Sequence, residues 1–90
     1  MTTINELDNR LSAAPVVPLI QADDVDIAVR TAEALAAGGL TVIEVVMRTD
    51  EALQCLRAIS ERLDNVIAGA GTVLSVDQAN AAIASGARFI

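Results

Sequence analysis

The chain has 90 residues and a formal net charge of -6, because 12 acidic residues outnumber six basic ones. This length suffices for one small domain and falls short of the roughly 200 or more residues of a closed α/β barrel. The acidic balance argues against nucleic acid or an anionic membrane surface as a partner, since both require clustered basic residues. The sequence contains no histidine, tryptophan, tyrosine or lysine, which excludes histidine-based triads, histidine-ligated metal sites and aromatic stacking platforms.

The first part of the chain predicts a helix, a strand and a second helix. Apolar residues at helical spacing predict a leading helix over 5–14. Residues 1–14 therefore form a first segment, ahead of the first strand. The apolar run 16–20 is typical of a strand that is buried on both faces. Asp23 or Asp24 is suited to cap the next helix, because a short acidic side chain accepts hydrogen bonds from the first free backbone N–H groups.

The rest of the chain repeats this alternation. Thr49 is predicted to cap the helix that follows the second strand. Ser75 and Gln78 have the spacing of a capping box and predict a helix over 76–85. The second strand is predicted over 41–48. The third strand is predicted to start with residues 66–68, and a fourth strand with residues 88–90.

The predicted strands open near residues 16, 41 and 66, and each interval of 25 residues contains one helix. Repeated βα units of this length form a parallel sheet with right-handed crossovers. Two architectures fit, an open doubly wound sheet and an eight-fold βα barrel cut short. In both, function is expected where the strands end and the helices begin.

The strand predicted over 41–48 carries a carboxylate among apolar residues. Alternation places Val42, Glu44, Val46 and Arg48 on one face of it. An acid held in apolar surroundings is a common arrangement for a general base. The alternative is a structural ion pair, although four residues of straight strand separate Glu44 from Arg48 by about 13 Å, too far for direct contact.

The segment 69–72, which reads G-A-G-T, is the second candidate for chemistry. Gly69 and Gly71 at a strand end allow close approach of backbone to a ligand, and the Thr72 hydroxyl adds a donor. The alternative is a tight turn. A dinucleotide-binding fingerprint is excluded, because Leu74 stands where its third glycine belongs.

Cys55 lies in a helical pattern and has no second thiol with which to pair. It is interpreted as core packing in a reducing cytoplasm, with a reactive thiol as the alternative. The amino terminus has neither the basic nor the apolar region of a signal peptide, and no run is apolar enough to span a bilayer. We therefore expect a cytoplasmic location and no membrane partner.

Four motifs in order, V-V-P-L-I, A-G-G-L-T-V-I-E-V-V-M-R-T, I-A-G-A-G-T-V-L and S-G-A-R-F-I, resemble the amino-terminal part of the 2-keto-3-deoxy-6-phosphogluconate (KDPG) aldolase family, grouped with 4-hydroxy-2-oxoglutarate (KHG) aldolase. The resemblance covers residues 15–90. It implies an α/β fold, a partial (β/α)8 barrel with a leading helix, three βα units and the start of a fourth strand. The implied activity is that of a class I aldolase, a lyase of the Entner-Doudoroff pathway that releases pyruvate and glyceraldehyde 3-phosphate. The family needs no cofactor, binds a small keto acid or sugar acid phosphate, and is usually a homotrimer.

The resemblance also implies roles for individual residues. Glu44 matches the family's general acid/base, and Arg48 and Thr72 match groups that bind the pyruvyl carboxylate. Gly69 and Gly71 are candidates for backbone contacts with the substrate. The chain departs from the family at two nearby positions, with Val46 where a threonine is common and Gln21 where some members have arginine.

The largest departure is the lack of lysine, because the family forms a Schiff base with pyruvate through a lysine on a later strand, and an imine requires an amine. The chain alone is therefore expected to be inactive. Two alternatives stay open. One is a non-catalytic α/β module that binds a small carboxylate through Arg48 and Thr72. The other is a half-barrel that associates with itself because Val42 and Val46 lie uncovered on an open sheet.

Overall fold

A computed structural model describes residues 3–90, which form four α-helices and three β-strands. The strands make one parallel sheet in the order β1, β2, β3. This alternation of helix and parallel strand confirms the predicted βα repeat. In chain order the elements are α1 (Ile4–Ala13), β1 (Leu19–Ile20), α2 (Val25–Ala37), β2 (Val42–Val46), α3 (Ala52–Arg62), β3 (Ile67–Gly71) and α4 (Val76–Ala84).

The hydrophobic core lies between one face of the sheet and the helices. Its central strand residues are Ile43 and Val45 of β2 with Ala68 and Ala70 of β3. α2 and α3 cover this face mainly with small aliphatic side chains, so no aromatic residue is needed to fill it. The helical residues buried against it include Ala28, Val29, Ala32, Leu56 and Ile59.

Cys55 also belongs to this core, where its side chain is completely buried. Burial raises the pKa of the Cys55 thiol, and the nearby carboxylates of Glu51, Asp24 and Asp23 raise it further. The thiol therefore stays protonated and unreactive at neutral pH, since the thiolate is the nucleophile. This agrees with the interpretation of Cys55 as a packing residue.

Two predicted helix-capping residues are confirmed, but the full capping box at α4 is not, because the Gln78 side chain accepts from the Leu74 N–H and not from the Ser75 N–H. The Asp24 carboxylate accepts a hydrogen bond of 3.0 Å from the Ile27 N–H at the start of α2. The Ser75 hydroxyl accepts one of 3.1 Å from the Gln78 N–H at the start of α4. Each bond satisfies one of the backbone donors that a helix leaves free at its amino terminus.

The prediction that Thr49 caps α3 is wrong. α3 begins at Ala52, and its cap residue Glu51 makes no side-chain capping bond. The Thr49 hydroxyl instead donates a hydrogen bond of 2.9 Å to the carbonyl of Ala22. It therefore joins the turn after β2 to the segment after β1, at the carboxyl edge of the sheet.

The strands differ in length from the prediction. The strand expected over 16–20 is only two residues long, Leu19–Ile20, and the Pro18 carbonyl accepts a hydrogen bond of 3.0 Å from the Glu44 N–H. β2 ends at Val46 instead of continuing to residue 48. The Arg48 N–H donates to the Val46 carbonyl at 2.8 Å, which turns the chain. The prediction that Arg48 shares a strand face with Glu44 is therefore wrong.

Gly69 and Gly71 lie inside β3, so the tight turn offered as their alternative role is also wrong. Residues 88–90 adopt no regular strand in the structure. The Arg88 N–H nevertheless donates to the Ala68 carbonyl at 2.8 Å, and the Phe89 carbonyl accepts from the Ala70 N–H at 3.0 Å. The last residues thus begin to pair with the free edge of β3, as expected for the start of a fourth strand.

The face of the sheet that points away from the core helices is better covered than expected. Val42 and Val46 are only 3% and 7% exposed. α1 lies close to β2, and its Arg10 side chain donates a hydrogen bond to the Asn65 carbonyl just before β3. The prediction that these valines lie uncovered is therefore wrong.

None of the helices between residues 3 and 90 combines the length and apolar character needed to cross a lipid bilayer.

Candidate active site

The candidate site lies on the face of the sheet opposite the core helices. Glu44 is in the middle of β2 and is half-buried. It pairs in the ladder with Gly69, while Val46 pairs with Gly71. Because side chains alternate along a strand, Glu44 and both glycines belong to the same face. The only side chain with charge in this set is the Glu44 carboxylate.

The Glu44 side chain does not extend straight across to its ladder partner. Its carboxylate lies against Gly71, so closely that a Cβ atom at residue 71 would overlap Oε2 and Cδ of Glu44. Gly71 is the last residue of β3. The carboxylate is therefore directed toward the carboxyl end of the strands, which is the functional edge of parallel βα folds.

The Phe89 side chain occupies the equivalent space beside Gly69. A Cβ atom at residue 69 would overlap carbons of the Phe89 ring. Since Gly69 is the ladder partner of Glu44, the ring lies next to the strand position of this acid. The site thus combines one half-buried carboxylate with an apolar aromatic wall.

Thr72 follows β3 directly and has a strained backbone, with a φ of 56°. A β-branched residue at positive φ is a genuine outlier, and such strain costs about 1–3 kcal/mol. Among the described residues Thr72 is the one non-glycine residue in this region of the backbone map. Strain of this kind concentrates at binding and catalytic sites, which supports Thr72 as a site residue.

Arg48 lies in the turn after β2, exposed to solvent and at the same edge of the sheet. It makes no ion pair with Glu44, in agreement with the distance argued from the strand geometry. Within residues 3–90, the salt bridges join other partners, namely Arg10 with Glu6, Arg57 with Glu61 and Arg62 with Asp26. The Arg48 guanidinium therefore keeps its hydrogen-bond donors available for a ligand.

Two surface grooves in the described part of the chain lie elsewhere. One, of about 300 Å³, is bounded by the turn after β2, α3 and α4. The other lies between α1 and the amino-terminal side of β3. Neither of these two grooves is lined by Glu44, Arg48 or Thr72. Residues 3–90 also contain no group of three or more histidine, cysteine, aspartate or glutamate side chains placed to hold a metal ion.

Sequence reasoning proposes Glu44 and Thr72 as site residues, which stays a prediction, and does not foresee the contact between Glu44 and Gly71. A signal for the pairing was nevertheless present. The strand openings repeat every 25 residues, and the ladder pairs Leu19 with Glu44 and Glu44 with Gly69, which is the same offset. The 25-residue interval predicts which residues pair, but it does not predict the direction of the Glu44 side chain. That direction depends on the space beside Gly71 and on the position of the Phe89 ring.

Comparison with known proteins identifies the class as aldolase. The sequence profile described as "Aldolase: KDPG and KHG aldolase" matches residues 7–90. The chain belongs to the KDPG and KHG aldolase family.

Individual relatives agree with this assignment. The chain is 42% identical over 79 residues to the 2-dehydro-3-deoxy-phosphogluconate aldolase of Dickeya dadantii, a match that covers 88% of the chain and 37% of the relative. It is 43% identical over 90 residues to the enzyme of the same name from Treponema pallidum, covering 100% of the chain and 41% of that relative. The chain thus spans about two fifths of the length of these curated relatives.

The fold is similar to that of solved aldolases. A crystal structure of KDPG aldolase from Legionella pneumophila, with pyruvate captured at low pH as a covalent carbinolamine intermediate, matches with a TM-score of 0.82 and 39% identity. The match covers 89% of this chain and 39% of the other. This similarity decides between the two architectures left open by the strand spacing. The chain is a partial (β/α)8 barrel and not an open doubly wound sheet.

Proposed function

We propose that the chain supplies the pyruvate-binding and proton-transfer groups of a Schiff-base aldolase that cleaves KDPG to pyruvate and glyceraldehyde 3-phosphate. The observation that carries the proposal is the direction of the Glu44 carboxylate, which lies against Gly71 at the carboxyl end of β3. The pyruvate intermediate in the similar Legionella pneumophila aldolase supports the substrate class.

Glu44 is proposed as the general acid/base. A half-buried carboxylate at the carboxyl end of the strands is placed to accept or return a proton at the reacting pyruvyl carbon. Catalysis of this type contributes about 10²- to 10⁴-fold to a rate. The absence of an Arg48 ion pair leaves the acid free for this exchange.

Arg48 and Thr72 are proposed to bind the pyruvyl carboxylate. The planar guanidinium of Arg48 offers two parallel N–H donors, the geometry that best fits a carboxylate. The Thr72 hydroxyl offers a third donor from a strained backbone position at the same edge. Backbone contacts of Gly69 and Gly71 with the substrate stay a prediction, and the Gly71 carbonyl already accepts a hydrogen bond of 2.9 Å from the Met47 N–H.

The Schiff-base nucleophile is proposed to come from residues outside these 90. Imine formation requires an amine, and the chain contains no lysine. We therefore propose that residues 1–90 alone do not cleave KDPG. A homotrimeric assembly and a cytoplasmic location, as in the family resemblance, are part of the same proposal.

The test is a chimera in which residues 1–90 replace the matching 41% of the Treponema pallidum relative. We expect the chimera to cleave KDPG and to be trapped by borohydride with pyruvate as a stoichiometric adduct on one lysine. The isolated chain, with its α-amino group blocked, should give no adduct. A side-chain adduct on the isolated chain would overturn the proposed division of the catalytic groups.

A non-catalytic module that binds a small carboxylate is the second candidate. It is favoured by one observation, that Arg48 and Thr72 are present in a chain that lacks the amine. A chimera that binds pyruvate but neither forms the adduct nor cleaves KDPG would support this candidate. Self-association of the half-barrel has lost its main support, since Val42 and Val46 are already buried.

A further inference from the structure

Gly71 stands in a place where glycine is not required by the backbone. It lies in regular β3, whereas the glycines with positive φ are Gly39 and Gly86. Glycine inside a strand weakens it and commonly marks a close approach by another group. The reason for glycine at this position must therefore be the space that its missing side chain leaves.

One side chain fills that space. The three atoms nearest to a Cβ built on Gly71 are Oε2, Cδ and Cγ, and all three belong to Glu44. The other direction open to Glu44, straight across to its ladder partner Gly69, is occupied by the Phe89 ring. The Glu44 side chain therefore runs over Gly71, toward the carboxyl end of β3 and Thr72.

We propose that Gly71 is a positioning residue for the acid/base Glu44. This inference rests on the proposed function for its catalytic meaning, but the contact itself is independent of that function. The three atoms nearest to a methyl group at residue 71 belong to the flexible Glu44 side chain, so Gly71→Ala should fold and Glu44 should rotate away. The carboxylate would then leave the edge where Thr72 and Arg48 lie.

The first test uses the 90-residue chain and measures proton nuclear Overhauser contacts. In the wild-type chain we expect a contact between the Glu44 γ-protons and the Gly71 α-protons. In Gly71→Ala we expect no contact between Glu44 and residue 71. The matched control is Gly38→Ala, because a Cβ there meets only helix carbonyl oxygens at 3.5 and 3.7 Å, which is ordinary contact. A Glu44 contact that persists at residue 71 in Gly71→Ala would overturn the inference.

The second test measures kinetics in the chimera. A misplacement of a catalytic group by about 1 Å can cost about 10²-fold in rate, so Gly71→Ala should lower kcat about 10²-fold with little change in KM. The double variant Glu44→Gln/Gly71→Ala should be no slower than Glu44→Gln alone, because the two changes remove the same group. Fully additive losses would mean that Gly71 acts on something other than Glu44.

The two tests separate the inference from the proposed function. If Glu44→Gln leaves the chimera fully active, the proposed acid/base role fails. The Overhauser contact still decides whether Gly71 positions Glu44. If the contact is absent in the wild-type chain while Glu44→Gln is slow, the positioning role alone is refuted.

Discussion

The two faces of the sheet are built from different side chains. The face under α2 and α3 presents Ile43, Val45, Ala68 and Ala70, and nothing polar. The opposite face presents Glu44, Gly69 and Gly71 together with apolar residues of both strands, and the ring of Phe89 lies against it. Its apolar residues are Val42, Val46 and Ile67. Both faces belong to the same strands, so the difference lies in which residues alternate to each face.

A parallel sheet is normally covered and apolar on both sides. The helix face follows this rule, and its volume is filled by small aliphatic side chains. The opposite face breaks it twice, with a half-buried acid and with glycines that weaken a strand. The glycines are explained by the groups that lie over them, since the Phe89 ring occupies the space beside Gly69 and the Glu44 side chain the space beside Gly71. The half-buried acid is the feature that the proposed proton-transfer site accounts for.

The largest effect is expected from Glu44→Gln in the chimera. The amide keeps the size of the acid but cannot exchange a proton, so kcat should fall by about 10²- to 10⁴-fold while KM changes little. Steady-state cleavage of KDPG measures this. Glu51→Gln is the matched control, because Glu51 precedes α3 without making a capping bond, and it should stay near the wild-type rate. Equal rates for the two variants would assign Glu44 to structure.

Substitutions on the face covered by α2 and α3 should lower the stability of the fold. Ile59 is completely buried, and Ile59→Ala should lower the free energy of unfolding of the 90-residue chain by about 2–5 kcal/mol. Ile83→Ala makes the same chemical change at a residue that is 56% exposed, and it should cost far less. Urea titration of both variants provides the comparison. A smaller loss for Ile59 than for Ile83 would contradict the placement of the core.

A smaller effect, of opposite sign, is expected at Thr72. Thr72→Gly relieves the strain of a φ of 56°, and after the greater freedom of glycine in the unfolded chain is subtracted, stability should rise by about 1 kcal/mol. Pyruvate binding should weaken at the same time. Thr31→Gly, within the regular backbone of α2, should instead destabilise the chain by about 0.3 kcal/mol. A loss of stability in Thr72→Gly would show that the position is not strained.

Much of the fold was predictable because it depends on local signals and on one interval. Asp24 and Ser75 cap their helices as their sequence context indicates, and the 25-residue interval equals the ladder offset. The predictions that were wrong depend on the folded chain and not on local sequence. Thr49 has the sequence context of a cap, but its hydroxyl donates a hydrogen bond to the Ala22 carbonyl instead. Arg48 continues a strand pattern, but the chain turns after Val46.

The site was predictable in its residue types and less so in its arrangement. A lone glutamate in an apolar strand indicates Glu44 as the candidate acid without any structure, and its role stays a prediction. To find the contact of Gly71 with Glu44, both the register of β2 with β3 and the positions of the side chains were needed. Neither is contained in the G-A-G-T motif, which by itself suggests only backbone contact with a ligand.

The central claim is that the face with Glu44 binds a keto acid at the carboxyl edge of the sheet. The most direct measurement is a titration of the 90-residue chain with pyruvate, followed by amide chemical shifts. We predict saturable shifts at Glu44, Arg48 and Thr72, weakened by Arg48→Lys and unaffected by Arg57→Lys, since Arg57 is on the exposed side of α3 paired with Glu61. Saturable shifts confined to the grooves beside α1 or α4, or no saturable shift at all, would contradict the account.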